Sequence, residues 1–157
     1  IDDEFVFHFS AADIKNGDVG VAHWDRMTEM SAVGNMFDPN FTRPGQSPVS
    51  SVNLVLTYTE GEDNWQAVLP DEQQYPGEIW HSKTFRYRLT IHAGNYTYVA
   101  DNFRATIVVR LSDGDSGVWR IVSWSDDSLN LLRGALDRAP ALTQDTTWGK
   151  MKTLFAY

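Results

Sequence analysis

Two polar side chains on one predicted strand, His81 and Tyr87, could do acid–base chemistry. Both share the parity of the apolar residues in the segment 79–93, so both are expected to face an apolar hollow, where burial would shift the pKa of the imidazole. The alternative is that they are structural side chains with satisfied hydrogen bonds near a strand end. The sequence therefore names His81 and Tyr87 as candidates for a general acid and base, but it assigns no catalytic residue.

The same parity predicts a ligand pocket. Aromatic and hydroxyl side chains that would reach an inward-facing hollow are typical of sites for small, mostly apolar ligands. High aromatic content, 13% of residues with six Trp, fits either such a pocket or a well-filled core. The candidate ligand-binding residues are Tyr58, Tyr87, Trp119 and Ser123.

Signals for metals and cofactors are missing from the sequence. There is no cysteine, no glycine-rich phosphate loop and no pair of histidines at metal-binding spacing. Asp113 and Asp115 lie in a short turn that lacks the later acidic ligands of a calcium loop, so a hairpin turn is the better interpretation. We therefore predict no metal and no cofactor.

Arginine and tryptophan accumulate on the opposite parity of the predicted strands. Arg and Trp are favoured anchors of protein interfaces, so this face is a candidate for self-association into a homo-oligomer. A solvated sheet face, with the arginine stems covering apolar surface, is the alternative. The candidate interface residues are Trp80, Arg86, Arg88, Arg104, Arg110, Arg120 and Trp124.

Composition narrows the class of protein. The 157 residues carry a formal net charge of −8, which argues against a nucleic-acid partner. An apolar content of 42% with no run long enough to cross a membrane predicts one soluble domain. The chain starts at Ile1, which suggests a processed or an incomplete product; a processed one could be secreted or periplasmic, and the compartment stays open. Glycosylation at the matching triplets of Asn40 and Asn95 stays open as well.

Hydrophobic periodicity supplies the first half of the predicted elements. A strand at 5–9 turns Phe5, Phe7 and Phe9 to the core and leaves His8 on the other face. A helix of about 14 residues follows, because apolar side chains recur at helical spacing from Trp24. Its predicted core stripe is Trp24, Met27, Met30, Val33 and Phe37. The next strand, 51–59, is expected to bury Val52, Leu54, Leu56 and Tyr58.

The second half of the sequence predicts long antiparallel strands. Segments 79–93, 103–111 and 118–127 alternate strictly, with Asp101-Asn102 as a turn or a bulge and 113–117 as a tight turn. Alternation in the last segment predicts Ile121 and Ser123 inside, and Val122 and Trp124 outside. A final helix capped by Asp145 or Thr146 should bury a stripe of Trp148, Met151, Leu154 and Phe155 beside Lys150 and Lys152. The order of elements predicts an α+β fold, with the main helix on one side of a bent sheet.

Several segments together resemble the nuclear transport factor 2-like superfamily. They are Phe5-Val6-Phe7, the helix from Trp24-Asp25-Arg26 to Asn35-Met36-Phe37, and the strand Trp119-Arg120-Ile121-Val122; the tail Thr147-Trp148-Gly149 is similar to tails of uncharacterised bacterial members. The resemblance implies a cystatin-like cone, a curved antiparallel sheet wrapped around one main helix, with residues 1–127 as the core cone and 128–157 as a C-terminal arm and helix. Family members typically carry helices before the first strand, which this sequence lacks.

The same resemblance implies two possible classes of function. The superfamily contains non-catalytic binding and assembly domains as well as dehydratases, isomerases and polyketide cyclases, so fold alone does not decide between them. We predict a non-catalytic binding or assembly domain with an apolar cavity and a self-associating sheet face. The alternative is a small-molecule enzyme that works inside the cavity.

Overall fold

The computed structural model describes residues 1–41, 47–58, 64–69, 78–111, 117–127, 142–145 and 147–156. Within these ranges the chain forms an α+β fold dominated by one sheet, as predicted. The elements are β1 (Val6–His8), α1 (Ala11–Lys15), β2 (His23–Asp25), α2 (Arg26–Phe37), β3 (Val49–Thr57), β4 (Gln66–Ala67), β5 (Ile79–Ala93), β6 (Tyr96–Leu111), β7 (Trp119–Asp127), β8 (Leu142–Asp145) and α3 (Trp148–Thr153).

The sheet is mixed, which corrects the expectation of a purely antiparallel one. Its strand order is β2-β1-β7-β6-β5-β3, with β4 paired to β5 and β8 paired to β6. β1 runs parallel to β7, and β8 runs parallel to β6. Long stretches of chain separate both parallel pairs, so no tight turn forces an antiparallel arrangement. The sheet does not close on itself.

A β-bulge interrupts the long β5–β6 hairpin. The register shifts between Tyr87 and Leu89 on β5, opposite Asp101 and Asn102, and Asn102 has a positive φ of 59°. Asn is one of the few residues that adopt this conformation at low cost. The interpretation of Asp101-Asn102 as a bulge is therefore confirmed.

A second bulge reverses the predicted facing of the end of β7. Val108 pairs with Ser123, but Val109 pairs with Ile121, so Val122 is the extra residue. A one-residue insertion moves every later side chain to the opposite face. Trp124 therefore packs into the core instead of lying outside, and Ser123 lies on the outer face instead of inside. Both predictions were wrong for this single reason.

The core lies between the inner face of the sheet and the helices α2 and α3. Phe5, Phe7 and Phe9 are buried together, as predicted, while His8 is exposed on the other face. A second buried cluster joins the inner residues of β5 and β6 to both helices; it contains Met36, Tyr87, Leu89, Ile91, Ala100, Ala105, Met151 and Phe155. Alternation in β5 and β6 thus predicts the core face correctly.

The predicted methionine stripe of the main helix is wrong. Trp24 belongs to β2, and Met27, Met30 and Phe37 are exposed, Met27 to 78%. The buried residues of α2 are Glu29, Ala32 and Met36. Helical spacing alone cannot tell which of two competing stripes faces inward, and here the inward one contains a charged residue.

β3 is an edge strand with exposed apolar residues, contrary to the prediction that it buries one face. Its register with β5 turns Leu54 and Leu56 to the inner side of the sheet. Leu54 is nevertheless 46% exposed, Leu56 40% and the following Tyr58 53%. Val49 and Val52, at the start of β3, pack against the buried cluster that contains residues of both helices, whereas Leu54 and Leu56 do not. Alternation thus predicts which way these side chains point but not whether anything covers them.

The C-terminal helix is present. α3 begins at Trp148 with Thr147 as its N-cap, one residue beyond the predicted Thr146, and buries Met151 and, just after it, Phe155. The leucine-rich part of the predicted arm, 128–141, lies outside the described residues, as does the 113–116 part of the predicted tight turn.

Candidate functional site

A fully buried ion pair joins the last helix to the main helix. The side chain of Lys152 on α3 is fully buried, and its ammonium donates to both carboxylate oxygens of Glu29 on α2 at 2.7 Å. The ammonium also lies over the ring of Phe7, 2.8 Å from the centroid, and 5.2 Å from that of Trp148. Burial lowers the pKa of Lys152 to about 7, although Glu29 favours the charged form.

A second buried acid lies close by. The hydroxyl of Tyr87 on β5 donates to Asp126 on β7 at 2.6 Å, and the backbone N–H of Gly149 donates to the other oxygen at 3.1 Å. Burial raises the pKa of Asp126 to about 6, although both hydrogen bonds favour the carboxylate. Burial next to this carboxylate raises the pKa of Tyr87 as well.

Further polar contacts fix the start and end of α3. The Thr147 hydroxyl donates to Asp13 on α1 at 2.7 Å, and the Lys150 ammonium donates to Asp18 at 2.8 Å. Asn35 on α2 donates to the carbonyl of Phe155 at 2.9 Å. We call these contacts, together with the Lys152–Glu29 and Asp126 contacts, the α3 latch.

The α3 latch has the chemistry of a structural lock. Asp13, Glu29, Tyr87, Asp126 and Lys152 are all buried, and each of them bonds to another protein group. Perturbed pKa values often mark active sites, but internal ion pairs perturb them too. Because the polar atoms named here are satisfied by one another, the cluster stabilises the position of α3.

Sequence reasoning missed the α3 latch, although one signal was present. Trp148, Met151, Lys152 and Phe155 fall at positions i, i+3, i+4 and i+7, so Lys152 lies within the apolar stripe of the helix. A lysine inside such a stripe requires a buried carboxylate partner. The identity of that partner, Glu29, depends on tertiary packing across 123 residues of sequence.

The structure does not bring the two catalytic candidates together. His81 and Tyr87 are six residues apart on β5, which corresponds to about 20 Å along a strand. The ring of His81 packs edge-on against Trp119, with centroids 5.2 Å apart. Tyr87 is instead committed to Asp126 in the α3 latch.

The four predicted ligand-binding residues do not line one cavity. Tyr87 is buried, Tyr58 and Trp119 are exposed, and Ser123 lies on the outer face. Tyr58 instead helps to surround the buried Lys83, whose ammonium lies 4.1 Å from the Tyr58 ring centroid and 5.9 Å from that of Trp65. Such cation–π contacts stabilise an ammonium within an aromatic environment.

The predicted interface residues divide into four groups. Arg88 is exposed and Arg104 is half-buried, so both remain accessible. Arg86 donates to Asn102 at 2.8 Å. Trp124 packs against the core, where its indole N–H is buried and has no acceptor among the residues that the structure describes.

The remaining three interface candidates, Trp80, Arg110 and Arg120, belong to a charged cluster on the outer face. Arg110 forms a two-point ion pair with Asp2, both contacts at 2.8 Å, and also lies 3.3 Å from Glu78. The indole N–H of Trp80 donates to Glu78 at 2.8 Å. Arg120 contributes electrostatically, because its charge helps to lower the pKa of Asp2.

Next to this cluster the outer face contains a cleft of about 230 Å³, which we call the outer cleft. Its floor is on β6 and β7, and its two walls come from the region of β1 and from β5 with the residue just after β4. The lining residues are Glu4, Val6, His8, Val68, Trp80, Val108, Val122 and Ser123.

The described residues contain neither a metal-binding cluster nor a membrane-spanning helix. No group of three or more His, Cys, Asp or Glu side chains is arranged to hold a metal ion in the described ranges. Among the helices α1 to α3, none is long and apolar enough to span a membrane.

Comparison with known proteins does not assign this chain to a family, so only its fold class is established. No family model, no curated protein and no solved structure matches this chain. Fold and site define an α+β protein whose last helix is held by buried polar contacts, whose strand β3 pairs only with β5 among the described residues, and whose outer face carries a cleft. The likeness to the nuclear transport factor 2-like superfamily stays a prediction.

Proposed function

We propose that this protein is a non-catalytic binding and assembly domain of the nuclear transport factor 2-like type, a cone-shaped fold that self-associates. The observation that carries this proposal is the exposed, uncharged edge strand β3 at one end of the sheet. The α3 latch agrees with a non-catalytic function, because its acids and its lysine are all engaged in holding α3.

β3 carries few of the features that normally protect an edge strand; a register shift between Val49 and Ser51 places one bulge at its start. Its nine residues, VSSVNLVLT, include no charged residue and no proline. Natural proteins usually shield long edges with lysine, proline, bulges or a covering segment, since unpaired backbone groups recruit other strands. Within the described residues β3 pairs only with β5, so its other edge is open to a partner strand.

A second copy of the same strand fits this edge. An antiparallel pair around a two-fold axis at Leu54 would place Leu54 opposite its own copy and Val52 opposite Leu56. On the outer side, Asn53 would lie opposite Val55. Apolar side chains thus meet apolar ones on the inner side, and no like charges meet on either side.

Such pairing would also bring the arginine-rich face close to the seam. Arg86 and Arg88 lie on β5 directly beside Thr57 and Val55 of β3. In a β3–β3 dimer these guanidinium groups would flank the joint in both subunits. The predicted arginine interface is then a secondary contact, and the strand edge is the primary one.

The experiment is light scattering of the purified protein and of three variants, one of which carries two substitutions. We expect a dimer for the parent protein and a monomer for Leu54→Lys, because a buried ammonium at the two-fold axis would face its own copy. Met27→Lys is the matched control, since it adds the same charge at an exposed apolar position on α2. It should leave the dimer intact.

A double variant distinguishes an interface at the edge of β3 from an interface on the arginine-rich sheet face. Arg88→Glu combined with Arg104→Glu should weaken the dimer only partly. A monomeric parent protein at high concentration would refute self-association. Dissociation by the arginine reversals, with Leu54→Lys still dimeric, would move the interface to the sheet face and refute the edge model.

A further inference from the structure

The geometry points to the outer cleft as a binding site for a small organic cation, a primary ammonium carried on an aromatic or branched aliphatic group. This inference is independent of self-association, because the cleft lies between β1 and β5 and no residue of β3 lines it.

The size of the outer cleft sets the size of the ligand. Its volume of about 230 Å³ lies just below the range of sites for drug-sized molecules. The same volume would hold about eight waters at their liquid density, which corresponds to a ligand of about ten non-hydrogen atoms.

The lining is mostly apolar, so the body of the ligand should be apolar as well. Four valines and the ring system of Trp80 form most of the surface. The bulge in β7 creates part of the floor, because it makes Val122 an extra residue and turns Ser123 outward beside Val108. Trp80 is held in orientation by its hydrogen bond to Glu78, which leaves its ring available for stacking or cation–π contact.

The charges at one end of the outer cleft favour a positive ligand. Asp2, Glu4 and Glu78 all lie within 3.5 Å of the single guanidinium of Arg110. Arg120 also acts on Asp2, so three carboxylates and two guanidinium groups meet at this end of the cleft, in a chain whose formal net charge is −8. Glu4 itself lines the cleft and is partly exposed, so it can approach a bound ammonium.

His8 supplies a neutral polar partner on the β1 wall. Desolvation and the neighbouring His23 lower the pKa of His8, which favours the neutral imidazole, and a neutral imidazole does not repel a cation. Ser123 provides a hydroxyl on the floor. Together with Glu4, these groups offer the few convergent polar contacts that orient a ligand in an apolar site.

The test compares three ligands of similar shape and different charge by calorimetry and by NMR of the tryptophan indole signals. The probes are 2-phenylethylamine, 2-phenylethanol and phenylacetate. We expect the amine to bind at least about tenfold more tightly than the alcohol. Phenylacetate should bind most weakly, and added salt should weaken the amine alone.

Two variants test whether the ligand binds in the outer cleft and whether the charge of Glu4 contributes to binding; a third variant is the control. Val108→Phe should fill the cleft and abolish binding of the amine. Glu4→Gln should weaken the amine about threefold or more without affecting the alcohol, whereas Asp3→Asn, a neighbouring exposed carboxylate outside the cleft, should change neither. Equal binding of amine and alcohol, tighter binding of phenylacetate, unchanged binding by Val108→Phe, or no binding of the amine at millimolar concentration would each overturn the proposal.

Discussion

The ammonium of Lys152 lies 2.7 Å from both carboxylate oxygens of Glu29 at a point where the lysine side chain is wholly excluded from solvent. Removing two charges from water is expensive, and their attraction offsets the cost only while both partners are present. The pair therefore makes the two helices α2 and α3 depend on each other.

The first prediction concerns this ion pair. Lys152→Met alone should destabilise the protein by about 3–5 kcal/mol, because Glu29 is left buried without a partner. The double variant Lys152→Met with Glu29→Leu should recover most of that loss. Chemical unfolding of both single variants and of the double variant measures the coupling. Additive effects would contradict a direct interaction between the two residues.

The second prediction concerns stability between pH 4 and 6. The pKa of Asp126 is raised to about 6 in the folded protein, so folding binds a proton there and stability falls as pH rises through that value. The expected loss is about 3 kcal/mol. Asp126→Asn should flatten this part of the profile, and the exposed Asp3→Asn should not. An unchanged slope in Asp126→Asn would show that another group controls it.

The third prediction concerns the stability of the protein above pH 7. Lys152 has a folded pKa of about 7, below its ordinary 10.5, so the unfolded chain binds more protons between these values. Stability should therefore rise with pH from about 7 towards 10. In Lys152→Met this rise should disappear. Thermal unfolding across this range distinguishes the two proteins, and an identical rise in the variant would exclude Lys152 as its source.

The fourth prediction uses Tyr87. Its hydroxyl stabilises the carboxylate of Asp126, so Tyr87→Phe should raise the pKa of Asp126 above about 6 and cost about 1–3 kcal/mol. Carbon-13 NMR titration of the Asp126 carboxyl reads the first effect directly. A lowered pKa in Tyr87→Phe would show that the hydroxyl does not donate to Asp126.

The fifth prediction compares two helical glycines. A Cβ at Gly149 would lie 2.7 Å from the Phe9 ring and 3.3 Å from an Asp13 oxygen, whereas a Cβ at Gly34 meets nothing within 4 Å. Gly149→Ala should destabilise the protein because it pushes α3 out of the α3 latch. Gly34→Ala should stabilise α2 by up to about 1 kcal/mol. Equal unfolding midpoints for the two variants would contradict the tight approach of α3.

Alternation predicted most of the sheet because strands repeat their facing every two residues. Phe85 and Ile107 are buried where the pattern places them. The pattern failed at Ser123 and Trp124, since the bulge at Val122 carries no distinctive residue type and appears only in the pairing with β6. The sequence pattern did not reveal the parallel pairing of β1 with β7 either, because this pairing joins segments that lie far apart in the sequence.

The polar sites were the least predictable part. Residue type and parity single out His81 and Tyr87 as a possible acid–base pair, but their separation along β5 keeps the two side chains apart. In the sequence, Glu29 is an ordinary acidic residue near the start of a helix. Its burial follows from the contact with Lys152, which the sequence pattern does not show. The charged residues that matter most are thus defined by partners far away in sequence, which local patterns do not report.

The 123 residues that separate Glu29 from Lys152 also constrain how the protein is made. While the chain grows on the ribosome, α2 emerges long before its counter-charge exists, so its carboxylate has to stay hydrated. The nascent chain can settle into its final packing only once α3 has been synthesised and released. A stalled or prematurely terminated product would therefore be a target for chaperones and proteases.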